Sequence, residues 1–460
     1  MRTTATPDSR GIERAAPVAA ARRWERLEAA GATAVSSQSV AALRVALGLV
    51  VAWSMLRYLG RGWVTTQLTD PEFHVTYPGL SWVRPLPAPW MQLVPIVVAV
   101  AAVSLACGRR QRLSAAVALV GFCWIELIDA STYLNHYELV TLLLAWAVVL
   151  PMSQASTVPS WVVWTLRAQL AVVYVFAGLA KLSTDWLVDA EPLRTWLAAR
   201  TDMPVLGPIV ATTTAAYVAS WAGAVFDLAI VPLLCIRRTR PWAYGAVVVF
   251  HLVTWRLFPP IGVFPIAMIL LTPIFFEPDW PTRVARRLRL PSGSLREFRP
   301  QGAGSAQRTG RMRPAAPVAL ACVAIVQVVV PMRHLAVGND VRWDDQHYRW
   351  SWRVMVTERA GVATFEVVDP ATGDREIVVP DDELPAHQVR YVSSRPEALR
   401  QFAVFLADRA ERETGDRPAV HARAWVSVNG HRRALIVDPS VDLAAEGGPP
   451  DGWILPAPWT

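Results

Sequence analysis

The chain has 460 residues, 53% of them hydrophobic and only 18% charged, which is too apolar for an ordinary soluble protein of this length. Its formal charge of +8 comes from basic residues clustered between apolar runs, not from a stripe interleaved with aromatics, so nucleic-acid binding is not expected. The four cysteines, Cys107, Cys123, Cys235 and Cys322, lie in or beside apolar runs without CxxC or Cys/His spacing, which excludes a disulfide framework or a zinc site as the organising principle.

Residues 1–37 are rich in Ala and Arg and lack the apolar core and cleavage site of a signal peptide; they read as a cytoplasmic arm without regular structure. Apolar runs near 38–59, 90–107, 113–130, 137–152, 161–182, 209–236, 242–258, 261–276 and 316–334 predict about nine membrane-spanning helices, eight if one of them does not cross. Pro259-Pro260 separates the seventh and eighth as a tight hairpin. Arginines gather at 22–23, 109–112, 237–240 and 283–289, and a nine-span chain puts all four clusters on one side, so the N-terminus is cytoplasmic and the protein lies in the cell membrane. Residues 291–315, with Pro, Gly, Ser and Arg throughout, read as a flexible connector.

Beyond Pro331 the pattern becomes soluble. Alternation predicts strands at Trp350–Thr357, Val362–Val368 and Glu376–Val379, helical periodicity covers Glu397–Arg412, and Asn429-Gly430 joins Ala424–Val428 to Arg433–Val437 as a hairpin. The fold class is thus a polytopic α-helical membrane protein, with a transmembrane unit over 38–335 and an exoplasmic, β-rich α+β domain over 336–460.

The 45 basic side chains comprise 44 arginines and a single lysine, Lys181, at the outer end of the fifth run. An interfacial lysine can simply snorkel and pair with Asp185, but arginine serves that purpose equally well and cannot release its proton near neutral pH. The one lysine therefore points to a base or nucleophile. His136, in Asn135-His136-Tyr137, stands where the third and fourth runs meet; it is either a proton-exchanging group or an interfacial cap. His251, inside the seventh run, either faces a cavity or bridges two helices. Arg167 and Gln169, on the helix of Lys181, either contact an anionic group or satisfy one another, and Asp227 poses the same question. The tryptophans, Trp186 among them, fall mostly near span ends as interfacial anchors. No HExxH or Glu-x-x-His pair suggests a metal, and no phosphate loop or nucleophile elbow suggests nucleotide or serine chemistry.

Taken together, the stretch from Asp129 to Tyr137, the segment QLAVVYVFAGLAKLSTDW from Gln169 to Trp186 and FHLVTWRLFPPIGVFP from Phe250 to Pro265 resemble the vitamin K-dependent gamma-glutamyl carboxylase family and its bacterial relatives with an HTTM (horizontally transferred transmembrane) domain. In the outer domain Tyr348–Trp352, Trp425–Asn429 and Asp438–Asp442 follow the same pattern, so the resemblance runs over about 38–445. It implies a lyase and quinol monooxygenase that couples epoxidation of a reduced vitamin K-type naphthoquinone, menaquinol or phylloquinol, by O2 to proton abstraction from a protein or peptide glutamyl side chain on the exoplasmic face, followed by addition of CO2. By the same resemblance Lys181 is the base, His136 serves the glutamyl carbanion and His251 is a further catalytic residue. Asn135, Tyr137, Arg167, Gln169, Asp185 and Trp186 are the candidate substrate-binding residues. The chain ends soon after Asp442 and so lacks the long C-terminal extension of the animal enzymes. A quinol epoxidase that does not carboxylate protein, a non-enzymatic lipid- or partner-binding membrane protein, and a transporter relaying protons through Lys181, Asp227 and His251 are the other readings.

Overall fold

The computed structural model describes residues 28–152, 156–289, 315–336 and 340–459. The sequence-predicted connector at 291–315 and most of the N-terminal arm lie outside these residues. The chain is mostly helical. A short antiparallel pair, β1 (Ala34–Ser36) with β2 (Thr157–Pro159), fastens the start of α1 (Gln38–Gly60) to that of α5. Between them α1, α2 (Ala88–Ala106), α3 (Gln111–Ile128) and α4 (Asn135–Val149) pack in sequence order, followed by α5 (Ser160–Ala180), α6 (Thr213–Cys235), α7 (Arg240–Leu257), α8 (Phe264–Leu271) and α9 (Ala315–Met332). Helices thus occur at every apolar run. Five of them, α1, α2, α3, α5 and α6, are long and apolar enough to cross a membrane, while Asn135–Val149 and Phe264–Phe275 are shorter apolar helices. Their outward-facing Leu, Val, Ile and Trp side chains are exposed in large numbers, as expected of helices solvated by lipid.

The C-terminal region carries a four-stranded antiparallel sheet of order β4-β3-β5-β6, from β3 (Arg359–Val368), β4 (Arg375–Val378), β5 (Ala419–Val428) and β6 (Ala434–Leu435), with α10 (Pro396–Thr414) across one face. Alternate residues of β5, namely Val420, Ala422, Ala424, Val426 and Val428, point at Phe402, Ala403 and Leu406 of the helix, giving the region its own core. Gly415, at φ 88°, ends α10 where a left-handed residue is needed.

One predicted strand is absent. Residues 350–357 form consecutive turns, with Trp350, Trp352 and Met355 at φ values of 62°, 54° and 55°. Their apolar alternation serves a different surface, since Trp352 is buried in the helical core and Val354 packs against it. This strap lies between the sheet and the helices.

The pairing of Lys181 with Asp185 that a merely snorkelling lysine would make is also not found. After α5 the hydroxyl of Ser183 caps the short helix Thr184–Leu187 by accepting the Trp186 N–H, and this turn directs Asp185 toward the C-terminal region. There its carboxylate meets Arg342 at 2.6 Å, accepts from Asn429 Nδ2 at 2.8 Å and lies 3.2 Å from His431 Nε2. Asn429 also donates to the Val356 carbonyl at 3.1 Å, so one buried carboxylate joins helix, hairpin turn and strap. Behind it, Asp340 is partly buried, which alone would raise its carboxyl pKa, but hydrogen bonds from Arg342 and Trp459 outweigh that and hold it at about 2. Because that value lies below the unfolded one of ~3.9, its stabilisation is complete above that pH and is lost only as pH falls through about 2. Removing one partner of a buried pair costs ~3–5 kcal/mol. Asp185→Ala is therefore expected to loosen the C-terminal region and expose 340–358 to limited proteolysis; an unchanged digestion pattern and melting temperature would contradict this anchoring role.

Candidate active site

Lys181 is the C-cap of α5, where the helix dipole favours a cation. Its Nζ donates to the Ala177 carbonyl at 3.2 Å and the strap's Val354 carbonyl at 3.3 Å, and sits 5.0 Å from the Trp186 ring centroid. Its ion-pair partner is Asp227 of α6, 2.8 Å away. Both are deeply buried, with 4% and 5% of their surfaces exposed. The pair forms because α5 and α6 approach closely at Gly178, where an added Cβ would fall 2.8 Å from Leu228. Stripping this amine of its counter-charge is costly, so Asp227→Ala is expected to lower stability by ~3–5 kcal/mol, read as a drop in melting temperature. A melting temperature unchanged at pH 6 and pH 9 would contradict the pairing.

The amine and carboxylate open into a cavity of about 200 Å³ walled mainly by apolar and aromatic side chains. Phe226 and Phe250 stack beside it at 3.9 Å, Phe264 and Met268 close it from α8, and Trp186 and Leu197 from the 184–198 segment. His251 lines the same cavity. Its Nε2 is 3.2 Å from the Tyr174 hydroxyl, and its Nδ1 is buried with no partner.

A second, larger chamber of about 540 Å³ lies against the first. Asn135, His136, Arg200, Glu358 and Arg390 make it far more polar. The two chambers share Phe258, Ile261, Phe264, Val354 and Met355, so an apolar septum separates the amine from His136. His136 itself is 3% exposed, its ring 4.6 Å from Tyr137 and 5.9 Å from Phe264, and its Nε2 lacks a partner. Tyr133 donates its hydroxyl proton to Glu138 at 2.7 Å, with Asn135 Oδ1 3.2 Å from the same oxygen, and Asn135 Nδ2 holds the strap through the Arg353 carbonyl at 3.5 Å.

The sequence-derived residues thus divide. Lys181, His251 and Trp186 line the first chamber, and Asn135 and His136 the second. Tyr137 packs behind His136, edge-on to Phe122 at 5.6 Å. Arg167 and Gln169 are at neither chamber: Arg167 donates to the carbonyls of Ile274 and Phe276, and Gln169 accepts from Trp146 and Gln327. Asp185 binds the C-terminal region. Two features the sequence did not single out belong to the site: Asp227 as the partner of Lys181, and the strap's Val354-Met355 as septum. Asp227 was legible as a charge in an apolar run and as a possible relay partner of Lys181 and His251, not as the lysine's ion-pair partner.

A helical, largely apolar bundle capped by a sheet-bearing region over two adjoining chambers defines the class. The HTTM domain family model matches residues 33–280, and the family of the vitamin K-dependent gamma-carboxylase lumenal domain matches 313–459. The chain belongs to the HTTM domain family, as a relative of the vitamin K-dependent gamma-carboxylases. No solved structure matches it.

Proposed function

We propose that this protein is a gamma-carboxylase-like membrane enzyme: a reduced naphthoquinone, O2, CO2 and a glutamyl side chain are converted to naphthoquinone epoxide, γ-carboxyglutamate and water. The observation that carries the reading is the chain's one lysine, buried beside Asp227 in an apolar, aromatic cavity. A cavity of ~150 Å³ accepts one benzene-sized ring, so about 200 Å³ is of the order needed for a fused aromatic head group. The unpartnered Nδ1 of His251 supplies a polar contact for a ring oxygen.

Oxygenation of the bound quinol supplies a base far stronger than any side chain. The protein's own groups prepare for it. In the dry pocket the Lys181–Asp227 pair can neutralise itself by moving a proton along the 2.8 Å contact, which frees the amine to take one from a quinol hydroxyl. The apolar walls exclude water that would quench the base. The septum then sets how directly the base reaches a glutamyl Cγ–H held near His136 in the second chamber.

Under this reading the helical unit over 38–335 crosses the membrane about nine times with the N-terminus cytoplasmic, the sheet-bearing region over 336–460 is exoplasmic, and the polar chamber admits a protein or peptide substrate from that side. Purified protein in nanodiscs, given reduced naphthoquinone, O2, labelled bicarbonate and a glutamyl peptide, tests it by chromatography of the epoxide and mass analysis of the peptide. Epoxide and a carboxylated peptide are expected. Epoxide without peptide modification would favour a quinol epoxidase, and neither product would overturn the proposal.

A further inference from the structure

Removing a proton from the carbon beside a carboxylate places a second negative charge on the same few atoms, and in a low-dielectric chamber that demands a cation in contact with the carboxylate. Lys181 is committed to Asp227 on the other side of the septum. Besides Arg200 and Arg390, which line the same chamber, a further cation near His136 is Arg57, at the outer end of α1.

Gly262, in the loop between α7 and α8, has φ 71°. A Cβ built there would lie 3.2 Å from Arg57 Nη2 and 3.8 Å from His136 Cε1, so guanidinium and imidazole both pack against this side-chain-free stretch of backbone. Its chain neighbours Ile261 and Phe264 line the second chamber together with His136. Arg57 is half-buried, its guanidinium rests 5.2 Å from the Trp63 ring centroid, and its Nε is buried without a partner. Among the described residues no carboxylate pairs with it, in contrast to Arg240, Arg342 and Arg359, each held by an acidic side chain. The buried Nε2 of His136 is likewise unpartnered.

We propose that Arg57 and His136 form a subsite for a side-chain carboxylate, with Arg57 the cation that neutralises the group being activated; the identity of that group as a glutamyl carboxylate rests on the function proposed above. Arginine suits the task because its planar fork binds a carboxylate with two parallel hydrogen bonds and keeps its charge throughout.

The test is a binding measurement on the full chain in nanodiscs, with radiolabelled N-acetylglutamic acid α-amide as probe and its uncharged glutamine counterpart as control. The wild type is expected to prefer the carboxylate. Arg57→Gln should weaken its binding about 10-fold or more, with partial retention by Arg57→Lys, and should leave binding of the control unchanged. Arg200→Gln, which removes a guanidinium from the 193–200 side of the same chamber, should cost less. Unaltered binding by Arg57→Gln, a larger loss in Arg200→Gln, or no preference in the wild type would each overturn the subsite. Epoxide formation, measured separately, reports on the enzymatic reading, so a protein that binds the carboxylate through Arg57 yet makes no epoxide would refute that reading and not the subsite.

Discussion

Lys181→Arg is expected to reduce naphthoquinone epoxide formation by about 10³-fold, within the range found for loss of a positioned acid or base. The substitution isolates proton release from charge. Arginine keeps a cation opposite Asp227, so the buried carboxylate stays compensated and the protein should fold with nearly the wild-type melting temperature. Lys181→Ala should also abolish turnover but is less informative, since it leaves Asp227 buried and unpaired at a cost of ~3–5 kcal/mol. If the arginine variant retained full activity, a snorkelling or structural lysine would explain the position and the base assignment would fall.

The second large effect is expected at His136. It lines the polar chamber and not the amine cavity. His136→Ala should therefore lower carboxylated peptide per epoxide by about 10²-fold, at the small end of acid–base effects, while epoxide formation itself changes only ~2–3-fold. His136→Gln, which retains a hydrogen-bonding side chain of similar size, controls for the space vacated. Equal loss of both products would mean that the ring supports Phe264 and the septum without taking part in the second step.

Much of the helical architecture was readable because each apolar run is long enough to declare itself locally, and the β3–β5 ladder and the Asn429-Gly430 turn carry their own period and turn chemistry. The strap at 350–357 was not. Its alternation resembles a half-buried strand, yet Trp352 and Val354 face the helical bundle, and no local pattern tells a sheet face from a helix surface. Lys181 stood out through usage alone, being the one lysine among 45 basic residues. Its partner did not, because choosing between Asp185 on the next turn and Asp227 on another helix depends on the close approach at Gly178 and on Arg342 claiming Asp185. Arg57 was equally hidden, since no local pattern tells that the end of α1 comes up beside Gly262 and His136. Arg167 and Gln169 show the opposite error: a shared helix with Lys181 suggested a shared site, but they lie more than two turns along α5 and serve backbone carbonyls and neighbouring helices.

The central claim, that one buried amine initiates oxygenation of a bound aromatic diol, is tested most directly by chromatographic assay of epoxide from wild-type and Lys181→Arg protein under O2, with the wild type under nitrogen alongside. The account predicts epoxide from the aerobic wild type alone. Epoxide from the arginine variant at the wild-type rate, or none from the wild type with either menaquinol or phylloquinol, would contradict it.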